Sequence, residues 1–128
     1  MLLTQQAHIN EALDLYKRIL GQKIDTCKHF GILEDGVLKA AASVKCYYGH
    51  WYLRCCVVKP EFRGKGLQRR LIEERLDYLA ERTDLVRVSV CPDNVHSIRN
   101  IEEEGFQFEK TRRFDTGKIV RVYRKDLD

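Results

Sequence analysis

The stretch Val57-Val58-Lys59-Pro60-Glu61-Phe62-Arg63-Gly64-Lys65-Gly66-Leu67-Gln68-Arg69-Arg70 constrains this chain more than any other. It reads as the end of a buried strand, a short glycine loop and the first turn of an amphipathic helix. Such a junction builds an anion site. Glycine lets the backbone turn sharply, and the free N–H groups of a helix start point at what lies before it. The helix dipole and Arg63, Lys65, Arg69 and Arg70 add positive potential. The ligand that suits this junction carries a phosphate or a pyrophosphate. An ordinary loop with a basic helix start would use the same residues. A mononucleotide P-loop would need G-x-x-x-x-G-K-[ST], which is absent.

The rest of the chain places this junction near its middle. Thr4 is a plausible N-cap, and Ile9, Ala12, Leu13, Tyr16 and Leu20 recur at helical spacing up to Gly21. His29–Leu33 and Val37–Cys46 read as strands around Glu34-Asp35-Gly36, a hairpin signal. Trp51–Val58 follows a Tyr48-Gly49-His50 turn. Leu67–Arg82 is a helix with Leu67, Leu71, Leu76, Leu79 and Ala80 inward. Leu85–Val90 is a strand, Val95–Glu104 a short helix capped by Gly105, and Phe106–Phe114 and Ile119–Tyr123 are strands around Thr116-Gly117. The order is α-β-β-β-α-β-α-β-β. An α+β architecture is expected, an α/β sandwich in which helices flank a mixed, mostly antiparallel sheet.

A second motif sharpens the reading. Cys91-Pro92-Asp93-Asn94-Val95-His96-Ser97-Ile98-Arg99-Asn100-Ile101-Glu102-Glu103-Glu104-Gly105-Phe106 follows the strand Leu85–Val90. Here the chain resembles the GNAT superfamily of acetyl-CoA-dependent N-acetyltransferases. Their glycine loop sits in a phrase V-x-P-x-[YF]-R-G-x-G, matched by Val58, Pro60, Phe62, Arg63, Gly64 and Gly66. Gln68 stands where that loop ends on Gly or Ala. Their later motif N-x-x-[AS]-x-x-x-Y-x-x-x-G-F is matched by Asn94, Ser97, Gly105 and Phe106, with Ile101 in place of Tyr. The resemblance is strong from about Leu53 to Phe108. It implies a GNAT fold with a shortened N-terminal part: Met1–Leu3 as the stub of a first strand, and no second N-terminal helix.

At 128 residues, with 44% hydrophobic and 33% charged residues, the chain fits one globular domain over residues 1–128. Its apolar runs are short of a membrane span, and polar residues follow Met1-Leu2-Leu3 at once, so neither a membrane anchor nor a secretory signal is expected. A cytoplasmic location follows as an expectation. Five cysteines, an odd number, argue against a disulfide framework, and no His or Cys spacing suggests a metal. The net charge of +4 suits a polyanionic co-substrate. The aromatic residues do not interleave with basic ones along a strand, which disfavours nucleic acid as partner.

The resemblance also implies roles. The strand before the glycine loop splays from its neighbour and admits the pantetheine arm of acetyl-CoA, whose amides pair with strand backbone at Cys56 and Val58. The N–H of Val58 or its neighbour stabilises the reaction's oxyanion. The residues set against the co-substrate are Cys56, Val57, Val58, Arg63, Gly64, Lys65, Gly66, Leu67, Gln68, Asn94 and Ser97. Gln68 is expected to point outward, and Arg69 and Arg70 are candidates for the 3′-phosphate or simply a solvated helix face. Asn94 either contacts the arm or caps its helix. Isoleucine at 101 cannot supply the leaving-group proton, so either Ser97, another hydroxyl, Cys91 or water takes that role or the thiolate leaves unassisted. No carboxylate lies between Trp51 and Lys59 to act as base. His50, Tyr47, Tyr48 and Glu34 are the nearest acid–base candidates, His50 first for its pKa, with a water relay as the alternative. Cys55, Cys56 and Cys91 raise an acetyl-cysteine route, against ordinary buried thiols. Arg112, Arg113, Arg121 and Arg124 either favour an acidic acceptor or protect a sheet edge. The expected activity is acetyl transfer to a primary amine of a small molecule or protein. The alternative is a catalytically weak module holding coenzyme A or a protein partner. A homodimer is left open.

Overall fold

Two tight corners organise the first half of the molecule. Asp35 and Gly36 take φ of 53° and 76°, and Tyr48 and Gly49 take 49° and 79°. Consecutive left-handed residues give the hairpin turn whose twist matches antiparallel strands. They join β1 (Lys28–Glu34), β2 (Val37–Tyr47) and β3 (His50–Val58) into a meander. The computed structural model describes residues 1–21 and 28–127. Helix α1 (Gln6–Leu15) precedes β1 and widens into a π-helical turn, Tyr16–Leu20, that stops at left-handed Gly21. Its N-cap is Gln5 rather than the expected Thr4, with no side-chain capping bond. The stretch 22–27, which bears on the expected absence of a second N-terminal helix and holds Cys27, lies outside the described residues.

After β3 come a 3₁₀ turn (Pro60–Phe62), α2 (Leu67–Ala80), β4 (Leu85–Val90), α3 (Val95–Glu103), β5 (Gln107–Arg113) and β6 (Ile119–Asp126). The sheet order is β1-β2-β3-β4-β6-β5. The β3–β4 contact is parallel, and the others are antiparallel. Residues 1–3 run along β1: Leu2 bridges Phe30, and the Leu3 N–H donates to the His29 carbonyl at 2.8 Å.

Helices cover both faces, as the alternation of the strands requires. Phe30, Ile32, Ala40, Ala42, Val44, Leu53 and Val86 meet Leu71, Ile72, Leu76 and Leu79 of α2 and Ile101 of α3. Leu3, Leu38, Ala41 and Val57 meet Ala12 and Leu15 of α1 and Tyr16. The run Ala40-Ala41-Ala42 lets helices approach β2 from both sides. Burying a side chain such as Leu79 or Ile72, both nearly inaccessible, contributes about 1.5–3 kcal/mol. The inner face of α2 differs from expectation at three places, of which buried Ile72 is the first. Ala80, in the last turn, is exposed, and Arg75, midway between Leu71 and Leu79, is buried.

Candidate active site

β3 pairs with β4 through only three residues, Trp51, Tyr52 and Leu53, against Val86, Arg87 and Val88. Beyond Leu53 the two strands part. The cause is local. The β2–β3 register shifts between Ala42 and Ser43, pairing Ala42 with Cys56 and Ser43 with Arg54, so Cys55 is an extra residue. A bulge of this kind bends its strand. Past the bulge the Lys59 N–H donates to the Lys39 carbonyl at 3.0 Å. Hydrogen-bonded and non-bonded pairs alternate along an antiparallel ladder. Val57 therefore turns its peptide groups to β2, while Cys56 and Val58 turn theirs to the gap.

The gap is a cavity of about 690 Å³. On the α2 side it is lined by Gln68, Ile72, Arg75, Asn94, Ser97 and Ile101. On the α1 side, by strand alternation, lie Lys45, Tyr47, Tyr52, Arg54, Ser89, Arg112 and Val120, with Phe114 and Lys118 at the β5–β6 turn. Among the described residues no carboxylate lines it.

The glycine loop carries the chain from the end of β3 to the start of α2, where Gln68 reaches the cavity. Gly64 and Gly66 take φ of 77° and 74°, and a Cβ on either would meet nothing within 4 Å. Substitution there is resisted by the backbone, and the space above the loop is open. Gly66 is the N-cap of α2 and provides no side-chain cap. The first intrahelical bond runs from the Arg70 N–H to the Gly66 carbonyl. The amides of residues 64–69 find no acceptor among the described residues, which is the donor array an anion needs. The Arg63 Nε donates to the Val58 carbonyl at 3.1 Å and folds the loop back onto β3.

Two polar devices hold the walls. The Gln68 Nε2 donates to Ser97 Oγ at 3.0 Å, and the Asn100 Nδ2 donates to Gln68 Oε1 at 2.9 Å. Gln68 thus points inward to α3, contrary to expectation, because Ser97 and buried Asn100 offer an acceptor and a donor matched to the two ends of an amide. Alongside, Arg69 binds Glu103 at 2.6 Å and Glu104 at 2.8 Å. The second device is Arg75. Its Nη1 donates to the carbonyls of Ser43 and Arg54, at 3.1 and 3.0 Å, and its Nε to that of Leu71 at 3.1 Å. Ser43 and Arg54 flank the bulge, so the guanidinium braces it. Burial pulls the Arg75 guanidinium below its ordinary pKa, and no carboxylate pairs with it among the described residues. Desolvation pushes the neighbouring Cys56 thiol up, against a smaller downward pull from Arg75.

A strand pair that parts at a bulge, with an uncapped glycine turn at its end, is the architecture the two motifs imply. The model of the Acetyltransferase (GNAT) family matches residues 3–106. The chain belongs to the GNAT acetyltransferase family. Solved structures agree on its fold. The Salmonella typhimurium protein yncA, with its cofactor acetyl-CoA, superposes with a TM-score of 0.81 at 16% identity, covering 100% of this chain and 95% of that one. The ribosomal-protein-S18-alanine N-acetyltransferase of Escherichia coli gives 0.78 at 18% identity, covering 100% and 95%. In sequence, the chain is 28% identical over 74 residues to the spermine/spermidine N(1)-acetyltransferase of Bacillus subtilis strain 168. That match covers 56% of this chain, which spans about half the length of the relative, 49%.

Within this GNAT chain, the structure brings Cys56, Gln68, Asn94 and Ser97 to the cavity lining, whereas Val58 and residues 63–67, which lie between Cys56 and Gln68 in sequence, are not among the lining residues. Asn94 caps α3, its Oδ1 accepting from the Ser97 N–H at 3.3 Å. Three expectations need correction. Val57 is buried against α1 with its peptide in the β2 ladder, so it offers the gap nothing. His50 is exposed at the β2–β3 corner, paired with Tyr47 and outside the cavity lining. Arg69 is held by two glutamates, whereas Arg70 has no ion pair among the described residues. Of the other acid–base candidates, Tyr47 lines the cavity, Tyr48 is 85% exposed, and Glu34 pairs with Lys39 at 2.7 Å. Sequence reasoning missed Arg75, Lys45, Arg54, Tyr52 and Lys118. Arg75 alone carried a signal: an arginine inside an apolar stripe. Among the described residues no helix is long and apolar enough to cross a membrane.

Proposed function

We propose that this GNAT chain moves the acetyl group of acetyl-CoA directly to a primary amine in a ternary complex. The observation that carries the reading is the gap between β3 and β4. The peptide groups of Cys56 and Val58 turn into it, and β3 runs from it into the loop with the unfilled amides of residues 64–69, of which Gln68 lines the cavity. These groups fit acetyl-CoA on their own chemistry: an open anion cradle for the pyrophosphate, and for the pantetheine amides the strand edge at Cys56 and the Val58 N–H, the Val58 carbonyl already accepting from Arg63.

Acetyl-CoA supplies an activated thioester carbonyl. The chain's residues do the rest. Cys56 and Val58 hold the arm as an added strand would be held. The Val58 N–H donates to the carbonyl oxygen as negative charge develops there. The amine nitrogen bonds to the carbonyl carbon, the C–S bond breaks, and the amine's proton leaves to solvent. Ser97 accepts a hydrogen bond from Gln68, which leaves its own O–H free to donate to the departing sulfur. Lys45, Arg54, Arg112 and Lys118 line the acceptor side and disfavour an ammonium there, so a bound amine loses its proton more readily. That replaces a dedicated base with a like-charge field and water. The raised Cys56 thiol argues for direct transfer over an acetyl-cysteine.

One observation favours a binding module instead. Ile101, where the usual Tyr would stand, is 3% exposed in the core and offers no proton. Calorimetry with acetyl-CoA and a free-thiol assay over a panel of amines separate the two. The enzyme binds acetyl-CoA and releases thiol in an acceptor-dependent manner, faster as pH rises. Binding without any such release favours the module, and absence of binding defeats both.

A further inference from the structure

The acceptor end of the cavity carries more information than its shape. Lys45 comes from β2, Arg54 from β3, Arg112 from β5, and Lys118 from the β5–β6 turn. Four separate segments of chain bring four cations to one opening. None of the four has a carboxylate partner among the described residues. Several other cations of the same sheet are paired closely. Arg87 is bonded to Glu109 at 2.9 Å and Arg124 to Asp126 at 3.1 Å, with Glu109 at 3.7 Å. Lys39 and Arg69 are likewise paired. Four cations without a carboxylate partner among the described residues therefore share one opening, Lys45 lying over the Tyr47 ring and Arg112 over the Phe114 ring. Clustering like charges around a cavity opposes folding, and a bound anion relieves it. Arg54 and Arg112 present planar forks that match a carboxylate or phosphate.

We infer that the acceptor is a small anionic amine: a primary amine with a carboxylate or phosphate a few bonds from its nitrogen. The inference rests on the acetyl-transfer reading above and specifies its second substrate. Size follows from the volume. About 690 Å³ is shared with the pantetheine arm, which leaves room on the scale of an amino acid. Tyr47, Tyr52 and Phe114 wall that space. A polyamine, the substrate named for the Bacillus relative, would bring further ammonium groups against the four cations.

The test uses the whole chain with acetyl-CoA and a free-thiol assay on matched amines: O-phosphoethanolamine, β-alanine, ethanolamine, ethylenediamine, spermidine and a lysine peptide. Expected is a kcat/KM for at least one anionic amine about tenfold or more above ethanolamine, and above both polycations. The preference should shrink as salt rises. Whichever of phosphate and carboxylate leads identifies the anionic group. Charge reversal by Arg112→Glu or Lys118→Glu should raise KM for the anionic amine about tenfold and move preference toward ethylenediamine. A merely structural role would leave that preference where it was. Faster transfer to spermidine or ethylenediamine overturns the inference and leaves acetyl transfer standing, as does transfer confined to the peptide. Acetyl-CoA binding with no transfer to any amine overturns the activity, and the inference with it.

Discussion

Replacing Arg75 by methionine tests the physical origin of the gap. The guanidinium makes three bonds, of which that to Leu71 lies within its own helix and the other two reach the strands at Ser43 and Arg54. A hydrogen bond from a charged group contributes about 1.5–3 kcal/mol net, so the two strand bonds represent roughly 3–6 kcal/mol. Against that stands the cost of holding the charge out of water, visible in the guanidinium's lowered pKa. Methionine removes that cost and fills much of the volume, but it leaves two carbonyls at the bulge without their donor. The net loss expected is about 2–4 kcal/mol. Urea unfolding measures it as a lower midpoint at unchanged slope. Calorimetry should show acetyl-CoA affinity falling in the same variant, because the bulge that turns Cys56 and Val58 to the gap has lost its brace. Arg75→Lys keeps the charge without the fork and should fall between. A methionine variant within about 0.5 kcal/mol of the parent, with acetyl-CoA affinity intact, would refute the reasoning.

Two further outcomes follow from the site and the core. Gly66→Val should abolish acetyl-CoA binding in calorimetry, since the β-branched residue must take a φ of 74° and would intrude on the anion cradle; normal binding by a folded variant would contradict this. His29, buried beside Tyr16 with Nδ1 3.4 Å from the hydroxyl, has its pKa lowered by burial. The unfolded chain then takes up the proton first, so stability is full above about pH 6.5 and falls as pH drops below it. Glu34 and Glu109, lowered by their bonds to Lys39 and Arg87, add a second loss only below about pH 4.5. Urea midpoints at pH 7.5 and 5.5 should differ, and His29→Phe should flatten that difference; a flat parent profile would show the ring is not held neutral.

The local chemistry of the sequence was sufficient for the elements and for the glycine loop. Asp35-Gly36 and Gly49 mark corners by their freedom at positive φ, and Leu67, Leu71 and Leu79 mark the buried face of α2 by spacing. The Gly64–Gly66 turn is legible for the same reason: its conformation depends on those residues alone. What depends on partners far along the chain was not legible. Gln68 turns inward because Asn100 lies 32 residues later, and Arg75 is buried because two carbonyls 32 and 21 residues earlier need it. His50 looked suitable by pKa, but the turn it belongs to carries it outside the cavity. The cationic opening was half visible in Arg112. Lys45 and Arg54 join it only once the strands are laid side by side.

The three-residue ladder between β3 and β4 divides the sheet mechanically. β1-β2-β3 and β4-β6-β5 behave as two leaves bound along a short spine. Across the open part of that spine the helices hold the leaves together, through Gln68 with Ser97 and Asn100 and through Arg69 with Glu103 and Glu104. Tension between the leaves is therefore borne by side chains at one end and by backbone at the other. A molecule laid along Cys56 and Val58 completes the spine, so occupancy of the gap and the stiffness of the whole sheet rise together.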